Sequence, residues 1–89
     1  MTLSDVEKLK QIFMEIFSIS ESEVESYRKL NNSKWDSLAS VNLIAAIESE
    51  YEIELEESDY ENFSSFSSVE LVLENYISWL IGQSMHILL

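Results

Sequence analysis

Apolar residues near the amino terminus recur at intervals of three and four positions, which is the spacing of one face of an α-helix. Ser4 and Glu7 stand three residues apart near the start of this pattern and predict a capping box. The sequence therefore predicts a first helix, on which Leu3, Val6, Leu9, Ile12, Phe13, Ile16 and Phe17 recur at this spacing.

The segment from residue 18 to residue 34 is rich in Ser, Glu and Asn and has no helical period. We interpret it as a long loop. Val24, Tyr27 and Leu30 are the apolar residues that we expect to anchor this loop to the core.

A second helix is predicted from Ser37 to Tyr51, with Asp36 as its N-cap. On a projection at about 100° per residue, one face is suited to the core and carries Ser40, Leu43, Ile44, Ile47 and Tyr51. The opposite face mixes apolar and polar residues, namely Leu38, Val41, Asn42, Ala45, Glu48 and Ser49. Its two large apolar side chains are either covered by other parts of the chain or exposed for a partner, and periodicity leaves both possibilities open.

The stretch "EYEIELEE" alternates like a β-strand, but no other segment offers a partner strand. We therefore predict an extended connection that buries Ile53 and Leu55, followed by a short helical turn over residues 59–63. Ser67 and Glu70 predict a second capping box for a last helix. The buried face of that helix would carry Val69, Val72, Leu73, Tyr76, Ile77, Leu80 and Ile81.

With 89 residues, the chain is expected to form a single domain over residues 1–89, too small for a deep enclosed active site. We expect the apolar tail at residues 83–89 to be poorly ordered, because Gly82 weakens the helix before it. The alternative is that the tail docks on a neighbouring surface and supports weak self-association. The chain has no cysteine, no signal-peptide pattern and no apolar run near the roughly 20 residues of a membrane span. These features predict a soluble cytoplasmic protein.

The formal net charge is -12, and all five basic residues precede Trp35. Such a surface repels nucleic acids and anionic membranes and favours basic protein surfaces, although the acids could also serve solubility alone.

Candidate catalytic and metal-binding residues are few. His86 is distant in sequence from any nucleophile and is interpreted as a tail residue. The carboxylates of residues 48–61 lack the glycine-containing loop of an EF-hand, so we interpret them as a solvated face and predict no metal site. Trp35 and Trp79 could stack on a ligand, but in a small bundle we expect them to cover the edges of the core.

Ser37 would be the first residue of the second helix, where unpaired N–H groups and the positive end of the helix dipole favour a phosphate. Taken alone, the position is weak evidence, since a serine at a helix start usually serves capping.

The stretches "WDSLASVNLIAAIESEYEIEL" and "FSSFSSVELVLENYI" resemble the acyl carrier proteins. Asp36, Ser37 and Leu38 match the Asp-Ser-Leu attachment motif of that family, and the motif opens a helix that an aromatic residue, Tyr51, closes. The resemblance implies an all-α four-helix bundle with a short third helix.

The same resemblance implies that Ser37 carries 4′-phosphopantetheine through a phosphodiester and that Asp36 helps a transferase to recognise the site. A phosphopantetheinyl transferase would attach the arm from coenzyme A with magnesium, and acyl-loading and acyl-processing enzymes would then act on acyl groups held as thioesters. The chain would be a non-enzymatic carrier and a monomer.

Departures from the familiar fatty-acid carriers indicate a specialised role. Trp35 replaces a glycine-containing lead-in, and Ala39, Asn42 and Ser49 stand where acids are common. We therefore predict a carrier for a specialised lipid, polyketide or surface-glycan pathway. A peptidyl or aminoacyl carrier and a non-modified acidic interaction module remain the alternatives.

Overall fold

The computed structural model describes the backbone of residues 2–88 and the side chains of residues 2–30 and 32–77. Within this part of the chain the structure is helical, with one isolated β-bridge between Arg28 and Ser65. The predicted all-α fold is confirmed. Its α-helices are α1 (Leu3–Phe17), α2 (Glu21–Val24), α3 (Ser37–Tyr51) and α4 (Phe66–Leu88), with 3-10 turns at Lys29–Asn31 and Glu57–Asn62.

Helix α1 begins earlier than the predicted Ser4–Glu7 capping box. Its N-cap is Thr2, whose Oγ1 accepts the backbone N–H of Asp5 at 3.2 Å. The Asp5 carboxylate in turn accepts the backbone N–H of Thr2 at 3.1 Å. The Ser4–Glu7 prediction was wrong because the pair two residues upstream meets the same requirement and places Ser4 inside the helix.

The predicted loop at residues 18–34 contains secondary structure. Ser20 and Glu23 form a capping box that starts the single turn of α2. Val24 and Tyr27 are buried as predicted, but Leu30 is 93% exposed and anchors nothing. Backbone bonds hold this segment instead, because the Lys29 N–H donates to the Ser64 carbonyl at 2.8 Å.

Helix α3 has the predicted bounds and buries Leu43 and Ile47 completely. It lies antiparallel to α1, because Tyr51 at its end donates a hydrogen bond to the Asp5 carbonyl near the start of α1. The Nζ of Lys8 also lies 3.9 Å from a carboxylate oxygen of Glu50. The end of α1 and the start of α3 therefore share one end of the bundle.

The connection after α3 has no regular secondary structure, and it buries Leu55 and partly buries Ile53. The following 3-10 turn takes the place of the short third helix. Tyr76 of α4 holds this turn, since its hydroxyl donates to the Asp59 carboxylate and accepts the Glu56 backbone N–H.

Helix α4 begins at Phe66, so the predicted Ser67–Glu70 capping box was wrong. Ser65 and Ser68 cap the start of the helix instead, since the side-chain oxygen of each accepts a hydrogen bond from the backbone N–H of the other at 3.1 Å. The predicted face of this helix is confirmed where its side chains are described, with Val69, Val72 and Leu73 buried and Tyr76 and Ile77 partly buried.

Several predictions fall on side chains outside the described residues. These concern Trp79, Leu80, Ile81 and His86, and the side chains of the tail at residues 83–89. The order of the tail stays a prediction, and so does the single-domain interpretation. Within the described residues, no helix has both the length and the apolar character that crossing a bilayer requires.

Candidate functional site

Ser37 is the first residue of α3, and its side chain is exposed. The preceding Asp36 has extended backbone angles, and its Oδ1 accepts the backbone N–H of Ala39 at 2.9 Å. The predicted N-cap is thus confirmed. Since the first N–H groups of a helix have no partner within the helix, the backbone around Ser37 offers hydrogen-bond donors and positive potential to an anion.

Trp35 lies two residues before Ser37 and is 2% exposed. Its ring packs against Phe17 at a centroid distance of 4.9 Å and meets Phe13 edge-on at 5.6 Å. It also stacks on Tyr27 at 6.0 Å. Trp35 was predicted to cover an edge of the core, and the structure places it inside the core. The residues that precede Ser37 are therefore held against the end of α1.

A hydrogen bond between Trp35 and Ser40 was not anticipated from the sequence. The indole Nε1–H donates to the Ser40 Oγ at 3.1 Å. The helical projection placed Ser40 on the core-facing side of the helix, and this was the only sequence signal that it would meet a buried group. The side chains of Trp35 and Asp36 thus both bond to the first turn of α3.

Tyr27 completes the aromatic cluster beneath the site. Burial raises the pKa of its hydroxyl, and the nearby Glu23 carboxylate raises it further. The ring therefore stays neutral at physiological pH and serves as packing surface. Among the described residues, no group of three or more His, Cys, Asp or Glu side chains could hold a metal ion.

The mixed face of α3 is open to solvent in the described structure. Leu38 is 68% exposed and Val41 is 62% exposed, and Asn42, Ala45 and Ser49 are exposed as well. The described parts of the chain therefore leave both large apolar side chains uncovered, which was one of the two possibilities left open by periodicity.

Glu48 on this face and the neighbouring Ala39 both have structural roles. Glu48 is only partly exposed, and its Oε2 accepts the backbone N–H of Leu55 at 2.9 Å. Ala39 is buried in the core, so the lack of an acid there does not change the surface, contrary to the expectation from sequence. The neutral residues that do face solvent are Asn42 and Ser49.

A comparison with protein-family models shows that the phosphopantetheine attachment site family matches residues 7–73, from within α1 to the first half of α4. The chain belongs to this family. The domain is a site for covalent attachment of 4′-phosphopantetheine, and the protein is a phosphopantetheine carrier. Carrier domains are generally non-catalytic and interact with modifying and acyl-processing enzymes.

The residues present fit such a group. Ser37 offers an exposed hydroxyl at a helix N-terminus, where the charge of a phosphodiester is favoured. The adjacent residue in the sequence, Asp36, has one carboxylate oxygen engaged by the Ala39 N–H. The chain contains no cysteine, so its own side chains offer no thiol.

Proposed function

We propose that Ser37 is the residue that carries the 4′-phosphopantetheine arm and that the protein carries acyl groups for a specialised pathway. The observation that supports this most directly is the exposed Ser37 hydroxyl at the first position of a capped helix. When bound, the arm would supply a thiol on which acyl groups are held as thioesters.

The residues around Ser37 present the hydroxyl and do not activate it. Among the described side chains, none makes a hydrogen bond to the Ser37 hydroxyl, and the Oδ1 of Asp36 accepts the Ala39 N–H. We therefore propose that the transferase removes the hydroxyl proton. The helix N-terminus would then stabilise the anionic phosphodiester by about 0.3–1 kcal/mol, the usual range for an exposed charge at this position.

The composition of the α3 face supports a dedicated set of partners. Asn42 and Ser49 are exposed and neutral where familiar fatty-acid carriers have acids. Individual exposed ion pairs contribute under about 1 kcal/mol, but a change in surface charge alters encounter rates and partner choice. We therefore propose acyl cargo of a specialised lipid, polyketide or surface-glycan pathway.

Incubation of the folded apo protein with coenzyme A, magnesium and a broad-specificity phosphopantetheinyl transferase tests the proposal. Intact mass should show the addition of one phosphopantetheine group to the wild-type chain and none to Ser37→Ala. Ser33→Ala is the matched control, because Ser33 is an exposed serine four residues away, and it should be modified like the wild type. An unmodified wild-type chain, under conditions that modify a known carrier, would contradict the proposal.

A further inference from the structure

We propose that Trp35 and Ser40 form a positioning pair that fixes Ser37 for the transferase. The inference rests on the proposed function of Ser37 and adds a specific role for two residues outside the Asp-Ser-Leu motif. The two side chains come from either side of Ser37 in the sequence and meet through the 3.1 Å bond from the indole Nε1–H to the Ser40 Oγ.

The Trp35 ring is a fixed reference point. Three aromatic rings surround it, and its own backbone N–H donates to the Asn32 carbonyl at 3.1 Å. Contacts between aromatic rings of this kind stabilise a fold by more than the burial of their apolar area alone. Because Phe13 and Phe17 belong to α1, the indole N–H is held in place relative to that helix.

Ser40 links α3 to this fixed indole through its hydrogen bond. A serine in a helix commonly faces solvent or bonds back to the carbonyl four residues earlier. Here Ser40 is partly buried, three residues after Ser37, and its hydroxyl oxygen accepts a hydrogen bond from the indole N–H of Trp35. The Asp36 cap sets the residue at which α3 begins, whereas the Trp35–Ser40 bond sets where that first turn lies against the aromatic cluster.

Loss of the Ser40 hydroxyl would leave the buried indole N–H without its acceptor and free the first turn to shift. The transferase would then find Ser37 correctly placed in only a fraction of the molecules, and the apparent affinity falls in proportion to that fraction. The chemical step within the complex is unchanged. The expected signature is a higher KM with an unchanged kcat.

Steady-state kinetics of arm transfer to apo-protein variants, followed by intact mass, test this signature. Ser40→Ala should raise KM about two- to tenfold, the range that one net hydrogen bond spans. Ser40→Thr retains the hydroxyl and should restore KM to within about twofold of wild type. Ser67→Ala removes an exposed serine from the first turn of α4 and should leave KM unchanged.

A double-mutant cycle isolates the bond from the packing of the ring. Trp35→Phe removes the indole N–H, so Ser40→Ala should have no further effect on KM in that background. In NMR spectra, the Trp35 indole proton should exchange with solvent faster in Ser40→Ala than in wild type.

The outcomes separate the two proposals. A wild-type chain that is not modified at all would overturn the proposed function of Ser37. A wild-type chain that is modified, with a KM that Ser40→Ala leaves unchanged, would overturn the positioning role alone. Additive effects of Trp35→Phe and Ser40→Ala would overturn it too, and the Ser40→Ala comparison remains decisive if Trp35→Phe does not fold.

Discussion

The hydroxyl of Tyr51 donates a hydrogen bond to the backbone carbonyl of Asp5 at 2.5 Å, between residues 46 positions apart. This bond joins the last residue of α3 to the first turn of α1. At the opposite end of α3, Trp35 packs on Phe13 and Phe17 of α1. Helix α3 is thus fixed against α1 at both ends, and Ser37 lies at the end that carries the aromatic cluster.

Tyr51 should make the protein sensitive to alkaline pH. Burial raises the pKa of its hydroxyl above the ordinary value of about 10, and the Asp5 and Glu50 carboxylates raise it further. The folded chain therefore holds this proton more tightly than the unfolded chain. The protonated Tyr51 hydroxyl therefore contributes its full stabilising effect below about pH 10, and this contribution is lost as the pH rises above that value.

Urea denaturation at a series of pH values measures this effect. Tyr51→Phe should be less stable at neutral pH by about 1 kcal/mol, because it loses one hydrogen bond. Above about pH 10 its free energy of unfolding should fall less steeply than that of wild type. Some dependence should remain, since Tyr27 and Tyr76 also have raised pKa values. Equal slopes in the two proteins would show that Tyr51 does not contribute.

The N-cap at Asp36 should stabilise α3 independently of any modification. Asp36→Ala removes the acceptor of the Ala39 N–H and should lower the free energy of unfolding by about 1 kcal/mol. Asp36→Asn keeps a capping oxygen, so its free energy of unfolding should fall much less. Urea denaturation of the apo proteins compares them, and equal losses in the two variants would argue against a capping role.

Glu48 should matter more for stability than its neighbour Glu50. Glu48→Ala leaves the N–H of the buried Leu55 without the carboxylate that accepts it, which should cost about 1–2 kcal/mol. Glu50→Ala is the matched control, since Glu50 makes only an exposed 3.9 Å ion pair with Lys8 and should cost less than about 0.5 kcal/mol. Thermal unfolding of both variants gives the comparison. A smaller loss for Glu48→Ala than for Glu50→Ala would be inconsistent with the structure.

Val41 tests whether the exposed face of α3 is a partner surface. Val41→Asp should change the free energy of unfolding by less than about 0.5 kcal/mol, because the side chain is already in solvent. It should nevertheless slow arm transfer or acyl transfer to a partner enzyme. Val69→Asp places the same charge in the core and should strongly destabilise the fold. Unimpaired transfer with a folded Val41→Asp protein would show that Val41 is not part of the partner surface.

Local signals were sufficient to predict α3 and its cap from the sequence. Asp36 precedes a run with helical spacing, and both features depend only on neighbouring residues. The capping boxes of α1 and α4 were harder, because adjacent pairs such as Thr2–Asp5 and Ser4–Glu7 both suit a helix start. Which of the two pairs caps the helix depends on the residue at which tertiary packing fixes the start of the helix.

Features that depend on contacts between segments could not be predicted. Leu30 is apolar and lies in a segment without periodicity. The turn that contains it is bonded through its backbone to Ser64, and its side chain stays in solvent. No local signal indicates either feature. The Trp35–Ser40 bond likewise depends on the position of the aromatic cluster. Glu48 has the pattern of a surface acid, and only the path of the following connection brings the Leu55 N–H to it.

Fragmentation of the modified peptide by tandem mass spectrometry tests the central claim most directly. After transferase treatment of the wild-type protein, the account predicts that the phosphopantetheine mass lies on Ser37 and that Ser33 and Ser40 in the same region stay unmodified. Localisation of the added mass to any other serine, in a chain that is folded and modified in good yield, would contradict the account.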